Sequence, residues 1–287
     1  MPFVLPYPNI DPVLVTIELF GLSLPIRWYA LAYLAALFIG LWLMKRLMDR
    51  PTLWPANQAP MTKDQTDALL TWIVIGVILG GRLGFVLFYQ IGFYIENPSL
   101  ILQIWQGGMS FHGGFAGVIV ALLIFCRRQN IPLMQVADAM AIVAPQGLLL
   151  GRLANFINGE LWGRTTDVPW AMVFPGAGDL ARHPSQLYQA FFEGLLLFVL
   201  IWVLATRRGW LKHPGRLTAL FFIGYGLGRA FAENFREPDA QFITLDNPAG
   251  HVIRLGTEWG LTMGQCLSLP MVLIGIGFWM WSRRQPA

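Results

Sequence analysis

Between residues 151 and 163 the chain reads Gly-Arg-Leu-Ala-Asn-Phe-Ile-Asn-Gly-Glu-Leu-Trp-Gly, directly after a run, 137–150, with one acid (Asp138) and no base. An arginine near the middle of a bilayer costs roughly 2.5–3.5 kcal/mol on insertion scales, so it is kept with a partner or a task. On a helix Arg152, Asn155 and Gly159 share one stripe, where the glycine lets another backbone or a ligand come close. Two tasks fit. The stretch is polar glue between membrane helices, or it holds an anionic headgroup.

Four further clusters could take part. Arg27-Trp28-Tyr29-Ala30 reads by itself as an aromatic belt with a snorkelling arginine. In Gly107-Gly108-Met109-Ser110-Phe111-His112-Gly113-Gly114, glycines around His112 at a helix start leave the imidazole accessible, and histidine takes a proton near neutral pH. Ser110 is a conceivable nucleophile without the GxSxG surround. In Arg182-His183-Pro184-Ser185-Gln186-Leu187-Tyr188, with Glu193 further on, Ser185 suits a helix N-cap. From Tyr225 to Pro238, the 100° turn per residue puts Tyr225, Arg229, Glu233 and Arg236 in one arc of roughly 80°. Glu233 can then pair with Arg229 at i,i+4 without consuming all its donors.

These groups must be positioned by membrane helices. Only 13% of the 287 residues are charged and 55% are hydrophobic, where a soluble domain averages about 25% charged. Seven stretches approach the roughly 20 apolar residues of a span: 21–44, 68–89, 110–126, 134–157, 186–206, 217–235 and 262–281. The expected fold is therefore an all-α polytopic membrane protein of one domain, 1–287, with no linker or internal repeat. The first six residues lack the basic segment of a cleavable signal peptide, and four prolines before position 13 predict an extended segment on the membrane surface.

Charge sets the expected orientation. Lys45, Arg46, Arg50, Lys63, Arg127, Arg128, Arg207, Arg208, Lys212, Arg216, Arg283 and Arg284 all fall on one side if seven spans alternate. By the positive-inside rule the N-terminus is outside and the C-terminus cytoplasmic. Cys126 and Cys266 then lie near opposite faces, which excludes pairing them. The other eight basic residues, Arg27, Arg82, Arg152, Arg164, Arg182, Arg229, Arg236 and Arg254, are all arginine. Guanidinium offers fixed bidentate donors suited to phosphate, so this gathering at the outer side predicts a bound anion. Of the outer loops, 98–105 reads as a short interfacial helix, 163–185 as a small non-helical cap with a strand at 170–174, and 237–261 as polar, with Asp239, Asp246, Arg254 and Glu258. HExxH, P-loop and GxGxxG patterns do not occur, so no metal, nucleotide or other cofactor is expected, and no nucleic acid.

The stretch 151–163 resembles the signature of the prolipoprotein diacylglyceryl transferases, G-R-x-[GA]-N-F-x-N-x-E-x-x-G, at every specified position. Arg-Trp-Tyr at 27–29, Gly-Gly-Arg-Leu-Gly at 80–84, His-Gly-Gly at 112–114, His-Pro-Ser-Gln-Leu-Tyr at 183–188 and Tyr-Gly-x-x-Arg at 225–229 are similar to that family too, in order along nearly the whole chain. The resemblance implies a bacterial inner-membrane enzyme, with its active site towards the periplasmic leaflet and the cap periplasmic. It would move the diacylglyceryl group of phosphatidylglycerol to the lipobox cysteine of a preprolipoprotein signal peptide, forming a thioether and releasing glycerol phosphate. His112, Arg152 and Arg229 are then the expected catalytic residues. Tyr29, Asn155, Glu160, Gly163, Tyr225, Glu233 and Arg236 are the expected substrate-binding ones. Two other classes compete. A lipid transporter would need polar groups leading through both leaflets, and an intramembrane serine protease would have to use Ser110 with His112.

Overall fold

The structure is a computed structural model that describes residues 4–254 and 259–284. In chain order it contains strands β1 (Val13–Leu19) and β2 (Leu22–Arg27), helices α1 (Trp28–Met48), α2 (Lys63–Tyr89), α3 (Ile91–Glu96), α4 (Phe111–Gln129), α5 (Leu133–Ile157) and α6 (Ser185–Gln189), a π-helical stretch Ala190–Leu196, helices α7 (Leu197–Arg207) and α8 (Arg216–Ala232), strands β3 (Ile253–Arg254) and β4 (Gly260–Leu261), and helix α9 (Met263–Ser282). Among the described residues, six helical segments are long and apolar enough to cross a membrane: α1, α2, α4, α5, the run Ser185–Arg207 and α9.

The expectation of an all-α chain is corrected by two two-stranded sheets, β1–β2 and β3–β4. The first span also starts later than its apolar composition suggested. Residues 22–27 are the return strand of a hairpin, because Phe20-Gly21 makes a tight turn with both φ angles positive. The expected strand at 170–174 reduces to bridges at Met172, which pairs with Leu5 on one side and Arg182 on the other. Residues 98–105 form two 3₁₀ turns, Pro98–Leu102 and Ile104–Gln106, rather than one helix. Met1, Pro2, Phe3 and Glu258 lie outside the described residues.

The chain divides into two compact units, Met44–Ala137 and the remainder. In the first, α2 and α4 pack nearly backbone to backbone. A Cβ on Gly80 would sit 2.7 Å from Gly117 Cα, and one on Gly84 2.7 Å from Gly113 Cα, so glycine at these positions sets the helix separation. A capping box starts α2, in which the Thr62 hydroxyl accepts from the Gln65 amide while the Gln65 side chain accepts from Thr62 N–H. Ser110 caps α4 by accepting from Gly113 N–H at 3.2 Å.

Arg82 in this unit is buried, and its guanidinium donates to the carbonyls of Leu100, Ile101, Gly107 and Gly108 at 2.6–3.1 Å. It also lies over the Tyr94 ring. Its donors are spent on the α3–α4 connection, which removes Arg82 from the set of anion-binding arginines.

In the other unit, α8 packs along α9, with Gly226 against the Ser268 carbonyl and Gly275 against that of Ala219. Helix α8 begins at a Gly215 of left-handed conformation and has no side-chain cap of its own. Asp138 of α5 supplies it. The fully buried carboxylate accepts from Gly215 N–H (2.7 Å), Thr218 N–H (2.8 Å) and the Thr218 hydroxyl (2.7 Å). An oxygen acceptor at these otherwise uncapped N-terminal amides also suits the helix dipole. This one contact fixes α8 along α5, and hence the height of Arg229 relative to Arg152.

Asp138→Ala strands those donors in a dry interior, and a buried donor left without its partner costs about 1–3 kcal/mol. Thermal unfolding in detergent is expected to show a lower midpoint for Asp138→Ala, with part of the loss recovered by Asp138→Asn. An unchanged midpoint would mean that α8 is held elsewhere.

Candidate active site

Helix α5 delivers the central stretch. Its last turn exposes carbonyls that need partners. The Tyr7 hydroxyl donates to those of Phe156 and Ile157, pinning the N-terminal segment across the helix end. The chain then leaves through Gly159 at φ +63°, a helix exit that suits glycine. This turn returns Glu160 onto the helix it has just left. The Asn155 amide donates to Glu160 Oε1 at 2.7 Å and that of Asn158 at 3.3 Å, while the Glu160 carbonyl accepts from Gln186 at 2.7 Å. Asn155, Glu160 and the start of α6 are thereby one bonded corner.

Gly163 closes that corner. A Cβ there would lie 2.6 Å from the His183 carbonyl oxygen and would also strike that of Phe235, so this crossing of three backbone segments admits glycine alone. Gly163 bridges to Arg236, and Thr165 and Met172 to Arg182. Arg164 donates to the carbonyls of Arg236 and Ala249; Arg182 donates to that of Gly163 and pairs with Glu237 at 3.0 Å. Arg254 pairs with Asp246. These three arginines tie loops together.

Ser185 does not cap its helix. Its hydroxyl donates to the Leu161 carbonyl at 3.0 Å, and the preceding residue, Pro184, occupies the cap position. His183 Nδ1 lies 3.1 Å from the Tyr188 hydroxyl, which accepts from Trp170 Nε1 at 2.6 Å and so has its own proton to give to the imidazole. Burial lowers the His183 pKa, which agrees with a neutral ring accepting that proton. His183 orients the loop.

Arg152 faces away from this corner. Its guanidinium bonds the Tyr225 hydroxyl of α8 and lies 3.5 Å from Glu193 Oε2. Glu193 is fully buried, within the charge field of both Arg152 and Arg229. The π-helical stretch puts it there. Gly194 fits against Leu149 of α5, where a Cβ would come within 2.7 Å of Leu149 Cα, and Gly228 of α8 fits against Phe192. A π-helical turn widens the helix locally, and such turns recur at functional sites.

On α8, Arg229 Nη2 pairs with Glu233 Oε2 at 2.8 Å, the expected i,i+4 bridge. Arg236, beyond the helix end, reaches the other Glu233 oxygen at 3.8 Å and Asp239 at 3.0 Å. Glu233 also accepts from the Thr262 hydroxyl at 3.2 Å, and Gly264 leaves the carboxylate room that a Cβ would take. Arg229 Nη1 is buried without a hydrogen-bond partner among the described residues. Tyr29 opens α1, bonds the Tyr33 hydroxyl at 3.0 Å and senses the charges of Glu160 and Arg152.

Thus Tyr29, Arg152, Asn155, Glu160, Gly163, Tyr225, Arg229, Glu233 and Arg236 belong to one compact unit, in which Arg152 joins Tyr225, Asn155 joins Glu160, and Gly163, Arg236, Glu233 and Arg229 are joined in series. His112 belongs to the other, exposed at the start of α4 and edge-on to Phe111. The adjoining Gly113 faces α2, where a Cβ would lie 2.8 Å from Gly84 Cα, so its smallness serves helix packing. The residue that sequence reasoning undervalued is Glu193. Its signal was present, a single acid in the apolar stretch 190–206.

A family model described as prolipoprotein diacylglyceryl transferase matches residues 15–281. The chain belongs to the prolipoprotein diacylglyceryl transferase family. Relatives named phosphatidylglycerol–prolipoprotein diacylglyceryl transferase include proteins of Ruegeria pomeroyi, 53% identical over the whole of both chains, and Cereibacter sphaeroides, 52% identical over 98% of each. That of Rhizobium meliloti is 49% identical over 99% of this chain and 95% of its own. Within this family the bonded corner gives Asn155 a definable task, holding the Glu160 carboxylate against the end of α5.

Asn155→Ala is expected to lower transferase turnover while the protein still accumulates in membranes. Failure of the variant to accumulate would make the corner a folding element alone.

Proposed function

We propose that this transferase moves the diacylglyceryl group of phosphatidylglycerol onto the lipobox cysteine thiol of a preprolipoprotein signal peptide, the first step of lipoprotein maturation. Sulfur bonds to the glyceryl carbon that carried the phosphate, the carbon–oxygen bond breaks, and glycerol phosphate leaves with the electron pair. The thiol proton goes to a base. Family membership supports the reaction. What supports its location is Arg229 Nη1, a buried guanidinium N–H without a partner among the described residues, beside an Arg152 held by Tyr225 and Glu193. Arg152 is held by Glu193, Arg229 by Glu233, and Arg236 by Glu233 and Asp239, so carboxylates position the forks from which Arg229 Nη1 is left over for a phosphodiester.

In this reading Arg152 and Arg229 act on the phosphate in the ground state and on the departing oxygen as charge builds there, chiefly by electrostatic stabilisation. Tyr29, Asn155, Glu160, Gly163, Tyr225, Glu233 and Arg236 shape the seat. The serine-protease alternative loses its nucleophile, because the Ser110 hydroxyl is buried as the α4 cap.

The topology is part of the proposal. Helix α8, 17 residues, is at the lower limit of a span and serves as the seventh. Basic residues close α1, α4 and α7, which favours an outer N-terminus, a cytoplasmic C-terminus and a periplasmic cap at 163–185 in a bacterial inner membrane.

Arg→Lys at 152 or 229 keeps the charge but loses the fork, and is expected to lower turnover about 10²-fold or more, the scale for removing one donor to a developing oxyanion. Near-normal turnover of both variants on labelled phosphatidylglycerol and a lipobox peptide would overturn the clamp.

His112 is the proposed base. His112→Gln should then lower turnover by about 10²–10⁴-fold, the usual contribution of a general base. Raising the pH should recover part of it, since the thiol then ionises unaided. A near-normal rate with a pH profile parallel to that of the parent enzyme would leave thiol ionisation to the arginine field.

A further inference from the structure

The hairpin β1–β2 has no part in the chemistry above, yet its two faces differ sharply. The register pairs Val15 with Ile26, Ile17 with Leu24 and Leu19 with Leu22 on one face, and Thr16 with Pro25 and Glu18 with Ser23 on the other. The first face is wholly apolar. The second carries a Ser23 hydroxyl to Glu18 bond of 2.8 Å. Val15, Ile17, Leu19, Leu22 and Leu24 are nevertheless 40–66% exposed, and Phe20 at the tip is fully so. Phe20 also holds φ +51°, a left-handed conformation that bulky side chains rarely adopt. An aromatic ring is thus presented outward at a backbone cost.

We propose that the apolar face of this hairpin lies in the lipid interface of the bilayer, on the side where α1 begins, as a membrane-contact surface outside the spanning helices. Three observations favour lipid. Strand β2 ends at Arg27 and α1 starts at Trp28, so the face runs without a linker into a helix built to cross the membrane. Both strand edges are poor templates for a partner strand: Pro25 offers no N–H on β2, and the register of β1 is broken between Val13 and Val15. Finally, a polar face backed by an apolar one over seven residues, about 20 Å, matches a surface that is water on one side and acyl chain on the other. Arg27 at the base of the ribbon suits the phosphate layer. The inference rests on α1 crossing the membrane, and the experiment tests that separately.

Single-cysteine variants in a Cys126→Ser, Cys266→Ser background, Phe20→Cys, Leu22→Cys, Glu18→Cys and Phe38→Cys, would carry an environment-sensitive fluorophore in phosphatidylglycerol–phosphatidylethanolamine vesicles. Apolar faces of interfacial elements sit about 5–10 Å into the headgroup boundary, so probes at 20 and 22 should shift to the blue and be quenched about twofold or more by shallow spin-labelled lipid. The probe at 18 should stay open to aqueous iodide. The probe at 38, exposed along α1, should respond to deep spin labels. Water-exposed probes at 20 and 22 beside a lipid-quenched 38 would overturn the proposal. So would protection that appears only with added lipobox peptide, which would make the hairpin a substrate-docking element, or protection that scales with protein density, which would make it a contact between copies. An unquenched probe at 38 would instead remove the spanning reading of α1.

Discussion

Two guanidinium groups on different helices of one apolar unit would repel, and Glu193, 3.5 Å from Arg152 and within the charge field of Arg229, offsets that repulsion. Its carboxylate is fully buried and lies in the field of both. Taking such a charge out of water costs several kcal/mol, and removing one member of a buried pair typically destabilises by about 3–5 kcal/mol. The cluster is therefore self-consistent as a set and expensive in parts. Glu233 repeats the device on α8, holding Arg229 from one side and Arg236 from another, with Thr262 completing its shell.

That electrostatic arrangement sets geometric demands that the rest of this unit meets. Glu193 reaches Arg152 only because the helix widens at 190–196 and Gly194 lets it lie against Leu149. Arg229 stands at the right height because Asp138 fixes the opposite end of α8. The last turn of α5, which carries Asn155, is held by Tyr7 from the N-terminal segment and by its own returning Glu160. Each contact is local, and each restrains the position of a charge.

Six of the seven expected spans were legible because runs of roughly 20 apolar residues follow directly from bilayer thickness. The central corner was legible too, since Asn155, Glu160 and Gly163 are polar or small where lipid-facing chains are neither. Other features could not be read. Residues 22–27 are as apolar as a helix start, and what makes them a strand is a positive-φ turn at Phe20, a residue that gives no such signal. Glu193 looked like an appendage of the His-Pro-Ser-Gln segment because a π-helical turn shifts every facing residue from the 100° spacing. Ser185 suits an N-cap by type, but the Leu161 carbonyl lies closer to its needs. The glycines beside His112 suggested access for a ligand, whereas a helix at near-contact distance is what they accommodate.

What separates these arginines is where their donors go. Arg82 gives its guanidinium to four backbone carbonyls, and Arg164 and Arg182 give theirs largely to loop backbone. A guanidinium surrounded by carbonyl oxygens is a structural fastener, because five N–H groups in a fixed plane can gather a loop as readily as they can grip a phosphate. Arg152 and Arg229 differ in what opposes them. Their partners include carboxylates, which hold the fork by charge while leaving N–H groups over; Arg229 Nη1 is buried and unpartnered among the described residues, as Arg182 Nε is among the loop arginines. The same residue type thus serves two ends, and the acceptor set divides them: neutral carbonyls consume the donors, whereas a carboxylate positions the fork and leaves N–H groups over. Those remaining N–H groups are what the proposed anionic headgroup would take.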